Sequence, residues 1–171
     1  MSGVELKITD SATGVTLPQN EVGQIEVRGP NVFKGYWNMP EKTAEELRED
    51  GFFITGDLGQ IDADGYVHIV GRNKDLIISG GYNIYPKEIE LLLDIQEGVL
   101  ESAVVGVPHP DFGETVIGVL VADTGAEPDL EAIKQTIATS LARFKQPPKL
   151  ILLQELSRNP MGQVHKHTLR Q

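Results

Sequence analysis

The 171-residue sequence contains no cysteine. That excludes disulfides, thiolate zinc sites and a cysteine nucleophile. It is also poor in base: 15 Lys and Arg stand against 25 Asp and Glu, a formal net charge of −10. A nucleic-acid backbone or an anionic membrane surface calls for a basic face, so neither is an expected partner. The deficit leaves room for a nucleotide, because one Lys or Arg and a few backbone N–H groups can hold a phosphate. Long apolar runs are missing too. The longest, around Val116–Ala122, is strand-sized and interrupted by Gly118, well short of the roughly 18–20 residues of a spanning helix. The opening MSGVELKITD has no basic stretch followed by an apolar one. No signal peptide is read there, and a soluble, cytoplasmic chain is expected. His165 and His167 alternate in a basic tail with no carboxylate nearby in sequence, so no metal site is expected.

What is present is the composition of a folding chain, 40% hydrophobic and 23% charged, enough for one ordinary domain or two small ones. In the first half, glycines fall where short strands should turn. Val4–Thr9 alternates apolar and polar, and Gly23–Gly29 is a second strand between glycines. Pro40 opens a short helix from Met39–Thr43. Phe52–Ile54 is a strand, Asp62–Gly65 a hairpin turn and Tyr66–Val70 the returning strand. The character changes after Gly71-Arg72. Leu76–Ile78 is a short strand ending in Ser79-Gly80-Gly81, and Pro86–Asp94 is an amphipathic helix with Ile89, Leu92 and Leu93 on one side. Val99–Val107 and Thr115–Ala122 are strands. A helix follows over Asp129–Arg143, capped by Asp129 and patterned by Ile133, Ile137 and Leu141. Pro147-Pro148 ends it before the strand Lys149–Leu153. The order β-α-β-β-α-β from Leu76 predicts an α+β fold. The boundary falls near Arg72–Lys74, with a β-rich piece over 1–71 and an α+β piece over 72–171.

Four segments have residue types that carry chemistry, and each also has a plain reading. Thr55-Gly56-Asp57-Leu58 follows a strand; its carboxylate suits a ribose diol, or caps its own turn. Arg72 in Gly71-Arg72-Asn73-Lys74-Asp75 could reach a phosphate or ribose oxygen, and the same residues would serve as a solvated linker. Ser79-Gly80-Gly81-Tyr82-Asn83 exposes backbone and leaves room for a thin chain, or is only a tight turn. It is not a phosphate loop, because the spacing GxxxxGK[ST] is absent. Arg158–Lys166 turns about Gly162 and reads as a basic, exposed end whose one lysine is Lys166.

Taken together, Gly23-Gln24-Ile25-Glu26-Val27-Arg28-Gly29-Pro30, Gly35-Tyr36-Trp37, Thr55-Gly56-Asp57-Leu58, Gly71–Asp75, Ser79-Gly80-Gly81 and Pro86-Lys87-Glu88-Ile89-Glu90 resemble the C-terminal part of the adenylate-forming acyl-CoA synthetases. The resemblance covers essentially the whole chain. Asn31–Trp37, Gly51–Asp57 and Arg158-Asn159 before Met161-Gly162 are most similar to the malonyl-CoA synthetases within that family.

The resemblance implies an acid–thiol ligase that joins a carboxylate to ATP, with Mg2+ accompanying the nucleotide. It then passes the acyl group to CoA and releases AMP. The implied architecture is a β-rich, barrel-like last subdomain of a large N-terminal domain, followed by a small α+β lid. The rest of that large domain, with the phosphate loop and acyl pocket, would be the missing partner. Asp57 and Arg72 match the residues that touch the ribose, Lys74 the hinge at about 72–75, and Gly80 and Gly81 the loop along the pantetheine tunnel. The departure is Gln163, where the pattern has the lysine of adenylation. Alone the chain is therefore expected to be inactive and to hold no ligand tightly. Apolar residues that would face the missing domain, Phe33, Tyr36 and Trp37 among them, would be exposed and favour self-association. The alternative is a stand-alone, non-catalytic module that binds a nucleotide, CoA or another protein.

Overall fold

The computed structural model describes residues 3–170, which form two compact units dividing after Lys74. Unit 1 holds four strands, β1 (Glu5–Thr9), β2 (Gly23–Arg28), β3 (Phe53–Ile61) and β4 (Val67–Arg72), with a short helix α1 (Pro40–Glu46) between β2 and β3. The strands are antiparallel neighbours in chain order. Ile8, Ile25, Phe52 and Leu58 are its buried apolar residues. The β3–β4 turn is built by Asp62, whose carboxylate accepts the N–H groups of Asp64 and Tyr66.

β3 runs further than the short strand Phe52–Ile54 expected from sequence. It continues through Thr55-Gly56-Asp57, so that segment lies inside a strand rather than in a turn after one. Polar side chains and a glycine hid the extended backbone. Gly56 takes φ +76°, and the pairing with β4 shifts by a bulge between Leu58 and Gly59, which together carry the ladder across.

Unit 2 holds β5 (Ile77–Ser79), β6 (Tyr82–Ile84), α2 (Pro86–Leu93), β7 (Val99–His109), β8 (Gly113–Ala122), α3 (Leu130–Ser140), β9 (Lys149–Leu153) and a last short helix α4 (Lys166–Leu169). The sheet order is β6-β5-β8-β7, with β9 parallel to β8. Along β8 the side chains alternate between faces. Val116 and Leu120 pack with Ile89, Leu93, Ile133 and Ile137 of α2 and α3. Val119 and Val121 pack with Leu156, Val164 and Leu169 of the C-terminal tail. The apolar run Val116–Ala122 is thus explained: the strand is covered on both sides.

Three local expectations are corrected here. Ser79–Asn83 is not a loop between a strand and a helix but the β5–β6 hairpin, with Ser79 opposite Tyr82. The helix expected over Asp129–Arg143 stops at Ser140. Leu141 turns extended to enter the core, and the Gln146 amide donates to the carbonyls of Ala138 and Leu141 at that end; Arg143–Lys145 is a separate 3-10 turn. The basic, exposed end is exposed only in part: Arg158, Met161, Gly162 and Gln163 are open, but Leu156, Val164 and Leu169 pack against the sheet. Among the described residues, no helix is long and apolar enough to cross a membrane.

Candidate functional site

In unit 1, adjacent strands bring Asp57 and Arg72 together. They are register partners across β3 and β4, and Arg72 Nε lies 3.0 Å from Asp57 Oδ1. Thr55 fixes the carboxylate's backbone: its hydroxyl accepts the Asp57 N–H at 3.1 Å and donates to the Ile25 carbonyl at 3.0 Å. Sequence reading missed this role of Thr55, although its place two residues before Asp57 is the usual spacing of a hydroxyl bonded to backbone. Both side chains stay partly open, Arg72 at 53% and Asp57 at 25%. A guanidinium beside a half-engaged carboxylate offers donors and an acceptor side by side, which is what a vicinal diol can bridge. Lys74 follows in an exposed 3-10 turn, Asn73–Asp75.

In unit 2, Gly80 and Gly81 make the two-residue turn of the β5–β6 hairpin. Their φ values of +57° and +83° are those of a type I′ turn, which requires left-handed backbone at both positions. The Gly80 N–H donates to Phe112 O at 2.9 Å, which pins the turn to the β7–β8 connection. A Cβ on Gly81 would meet nothing within 4 Å, so the turn presents bare backbone to solvent. Two stacked pairs lie in the same region, Tyr82 on Phe144 and His109 on Phe112. Next in the chain is Tyr85, whose hydroxyl pKa is pushed up chiefly by burial.

Gln163 lies in a tight turn. Asn159 is its frame: the Asn159 carboxamide oxygen accepts the N–H groups of Met161 and Gln163, each at 3.0 Å. The Asn159 amide donates to Gln163 Oε1 at 3.1 Å. The Gln163 side-chain oxygen is thereby used, and its amide nitrogen is left as a neutral donor. Arg158 donates to the Gly162 carbonyl at 2.9 Å and pairs with Glu101 of β7. Lys166, the neighbouring cation, is not available to stand in. Its ammonium is 2.6 Å from the buried carboxylate of Glu90. Residues 90 and 166 are too far apart in sequence for any local signal to pair them. His165 and His167 are exposed, with ring centroids 6.2 Å apart. Among the described residues no three His, Asp or Glu side chains gather into a metal-binding set.

The site elements of unit 2 sit at the two ends of one strand pair. The Gly80–Gly81 turn leaves β5 where Ser79 pairs with Gly113, at the start of β8. Arg158 is fixed at Glu101, which pairs with Val121 near the end of β8. Gly113 and Val121 are eight residue steps apart along β8, about 26 Å at the usual rise.

This fold is that of the C-terminal part of the acyl-CoA synthetases. Residues 88–163 match the AMP-binding enzyme C-terminal domain and residues 1–37 the AMP-binding enzyme family. The chain belongs to that family as its C-terminal part, and its relatives are acyl-CoA ligases. Among solved structures it is similar to ATP-bound MatB from Rhodopseudomonas palustris, at 58% identity and a TM-score of 0.92 over 99% of this chain and 34% of that one. A feruloyl-CoA synthase of Amycolatopsis is 44% identical over 92% of this chain and 32% of its own length. The malonate–CoA ligase of Arabidopsis thaliana is 38% identical over 99% of this chain and 29% of its own. The chain thus spans about a third of the relatives it matches.

Proposed function

We propose that this chain is the C-terminal third of an ATP-dependent acyl-CoA ligase whose acid is malonate. In the first half-reaction, a carboxylate oxygen attacks the α-phosphorus of ATP, giving the acyl-adenylate and releasing pyrophosphate. In the second, the CoA thiol attacks the acyl carbon, the adenylate C–O bond breaks, AMP leaves and the thiol proton passes to solvent. Asp57, held in position by Thr55 and Arg72, accepts from the ribose hydroxyls, and Arg72 donates to the ribose. Residues 1–71 close the large domain, residues 72–171 are the lid, and the hinge is Lys74 within 72–75. Gly80 and Gly81 lie against the pantetheine chain, where the absence of side chains lets a thin chain pass backbone. Mg2+ would accompany the ATP phosphates; among the described residues no cluster of His, Asp or Glu gathers to hold it.

The single observation carrying this reading is the spacing of the two turns in unit 2. The Gly80–Gly81 turn and the turn with Gln163 are anchored at opposite ends of one rigid hairpin. One active centre can then meet them only in turn, one per half-reaction, if the lid rotates about the hinge. The choice of malonate rests on the likeness to the malonate–CoA ligase of Arabidopsis thaliana and on the segments Asn31–Trp37 and Gly51–Asp57. The reaction class rests also on the feruloyl-CoA synthase, which matches the same stretch.

Position 163 then has a definite consequence. A lysine there would place positive charge where oxyanion charge concentrates; Gln163 supplies a neutral donor only. The loss of one such donor is worth on the order of 10²–10³ in rate. The test is an enzyme joining the N-terminal part of the Arabidopsis malonate–CoA ligase to this chain. The expected result is slow adenylation of malonate, undiminished conversion of supplied malonyl-adenylate to the thioester, and adenylation restored by Gln163→Lys on that scale. The 171-residue chain alone should form no AMP from ATP, malonate and CoA. Equal impairment of both half-reactions in the joined enzyme, or no gain from Gln163→Lys, would refute the reading.

A further inference from the structure

Glu90 is a carboxylate in the middle of a helix, and its residue is only 7% exposed. Burying a charge there is unfavourable unless every part of it is satisfied. Three layers meet at this side chain. Glu90 itself belongs to α2. Its Oε1 accepts the N–H of Val104 at 2.9 Å, and Val104 lies in β7, a strand that pairs only with β8 along its length. The same oxygen takes the Lys166 ammonium at 2.6 Å, and Lys166 begins α4 in the tail that covers the other face of the sheet.

We infer that Glu90 is a positioning residue for the Asn159–Gln163 turn: it fastens the tail through Lys166, so that residue 163 is presented by a rigid body. The tail has two ionic anchors flanking that turn, Arg158 on Glu101 before it and Lys166 on Glu90 after it. The first is at the surface, where an ion pair holds little. The second is desolvated and charge-assisted, which makes it the stronger. Between them the backbone closes on itself: Asn159 N–H donates to Gln163 O at 2.9 Å, Gly162 N–H to Asn159 O at 2.9 Å, and His165 N–H to Ser157 O at 2.7 Å. A further pair, Arg170 with Asp75 at 3.7 Å, ties the end of α4 to the first residue of unit 2. The relevance of this rigidity to catalysis rests on the proposed function; the anchoring itself does not.

Amide hydrogen exchange on the 171-residue chain tests it without any activity. Glu90→Gln keeps an acceptor for the Val104 N–H and removes the charge that holds Lys166. The expected result is faster exchange at the Asn159, Gly162 and His165 amides, by about tenfold or more, with the amides of α3 unchanged. Lys166→Met should reproduce it, and Lys166→Arg should retain the protection of the parent chain. Lys166→Met also stands as the independent variant if Glu90→Gln does not fold. Unchanged exchange in the turn, or a uniform rise throughout unit 2, would overturn the inference. A null result here would leave the half-reaction experiment untouched, and failure of the half-reactions would leave the exchange pattern standing.

Discussion

Glu26 shows most directly what a single residue contributes to unit 1. Its side chain is fully buried, yet it accepts from Thr9 at 2.8 Å and from Arg48 Nε and Nη2 at 2.9 and 2.7 Å, with Lys7 at 3.4 Å. Burial pushes its pKa up, but the Arg48 and Thr9 hydrogen bonds and the charges of Arg48 and Lys7 outweigh that and hold it below the ordinary 4.5. A carboxylate held low contributes its full stability above the unfolded pKa and loses it as pH falls through the folded one. Unit 1 should therefore lose stability as pH is lowered from about 5. Glu26→Gln should flatten that part of the profile, as followed by unfolding midpoints against pH. At neutral pH, Glu26→Ala should cost about 2–3 kcal/mol. That is less than the loss of a partner in a fully buried pair, because Arg48 and Lys7 keep contact with water. An unchanged acid limb in Glu26→Gln would remove Glu26 as its cause.

At the scale of the element, the β5–β6 hairpin depends on its two glycines. An added Cβ at Gly81 touches nothing, so the cost of Gly81→Ala is backbone strain alone, about 1–2 kcal/mol at φ +83°. Gly81→Asn should cost clearly less, because asparagine tolerates the left-handed region and suits a type I′ turn. Chemical denaturation of the two variants decides it, and equal losses would mean that the turn is held by something other than its dihedrals. The helices argue the other way, from local sequence. Pro86 opens α2, and Asp129 caps α3 by accepting from Glu131 and Ala132. Both signals could be read from a few consecutive residues.

For the whole molecule, the exposed apolar surface of unit 1 is the feature with consequences. Trp37 is 89% exposed and Phe33 37%, both as expected from sequence. Tyr36 is not fully open: it is half-buried, edge-on to Phe33, with its hydroxyl donated to Glu46. Trp37 is the only tryptophan, so its emission reports what covers this surface. If self-association uses it, raising the chain concentration should shift Trp37 emission to the blue and reduce quenching by acrylamide. Trp37→Ser should lower the apparent mass in sedimentation. A concentration-independent spectrum together with a monomer at every concentration would exclude association through this face.

How much of this was legible in the sequence follows from the range of the interactions. Periodicity, caps and glycine-bounded turns are set by neighbours a few residues apart, and they gave the α+β order and the position of most elements. Asp57, Arg72, Lys74, Gly80, Gly81 and Gln163 stood out only through the resemblance of their segments, taken together, to the acyl-CoA synthetases. What the sequence could not supply was pairing at a distance. Asp57 meets Arg72 only because β3 and β4 are in register across a bulge. Glu90 meets Lys166 only because α2, β7 and the tail stack in three layers. Lys166 was read only as the one lysine of a basic, exposed end, and in the fold it pairs with the buried Glu90. Local chain chemistry determined the elements, and the resemblance of the segments in their order marked the candidate residues. Packing, which brings together groups that share no stretch of chain, decided which charges are spent on holding the fold and which stay open to a ligand.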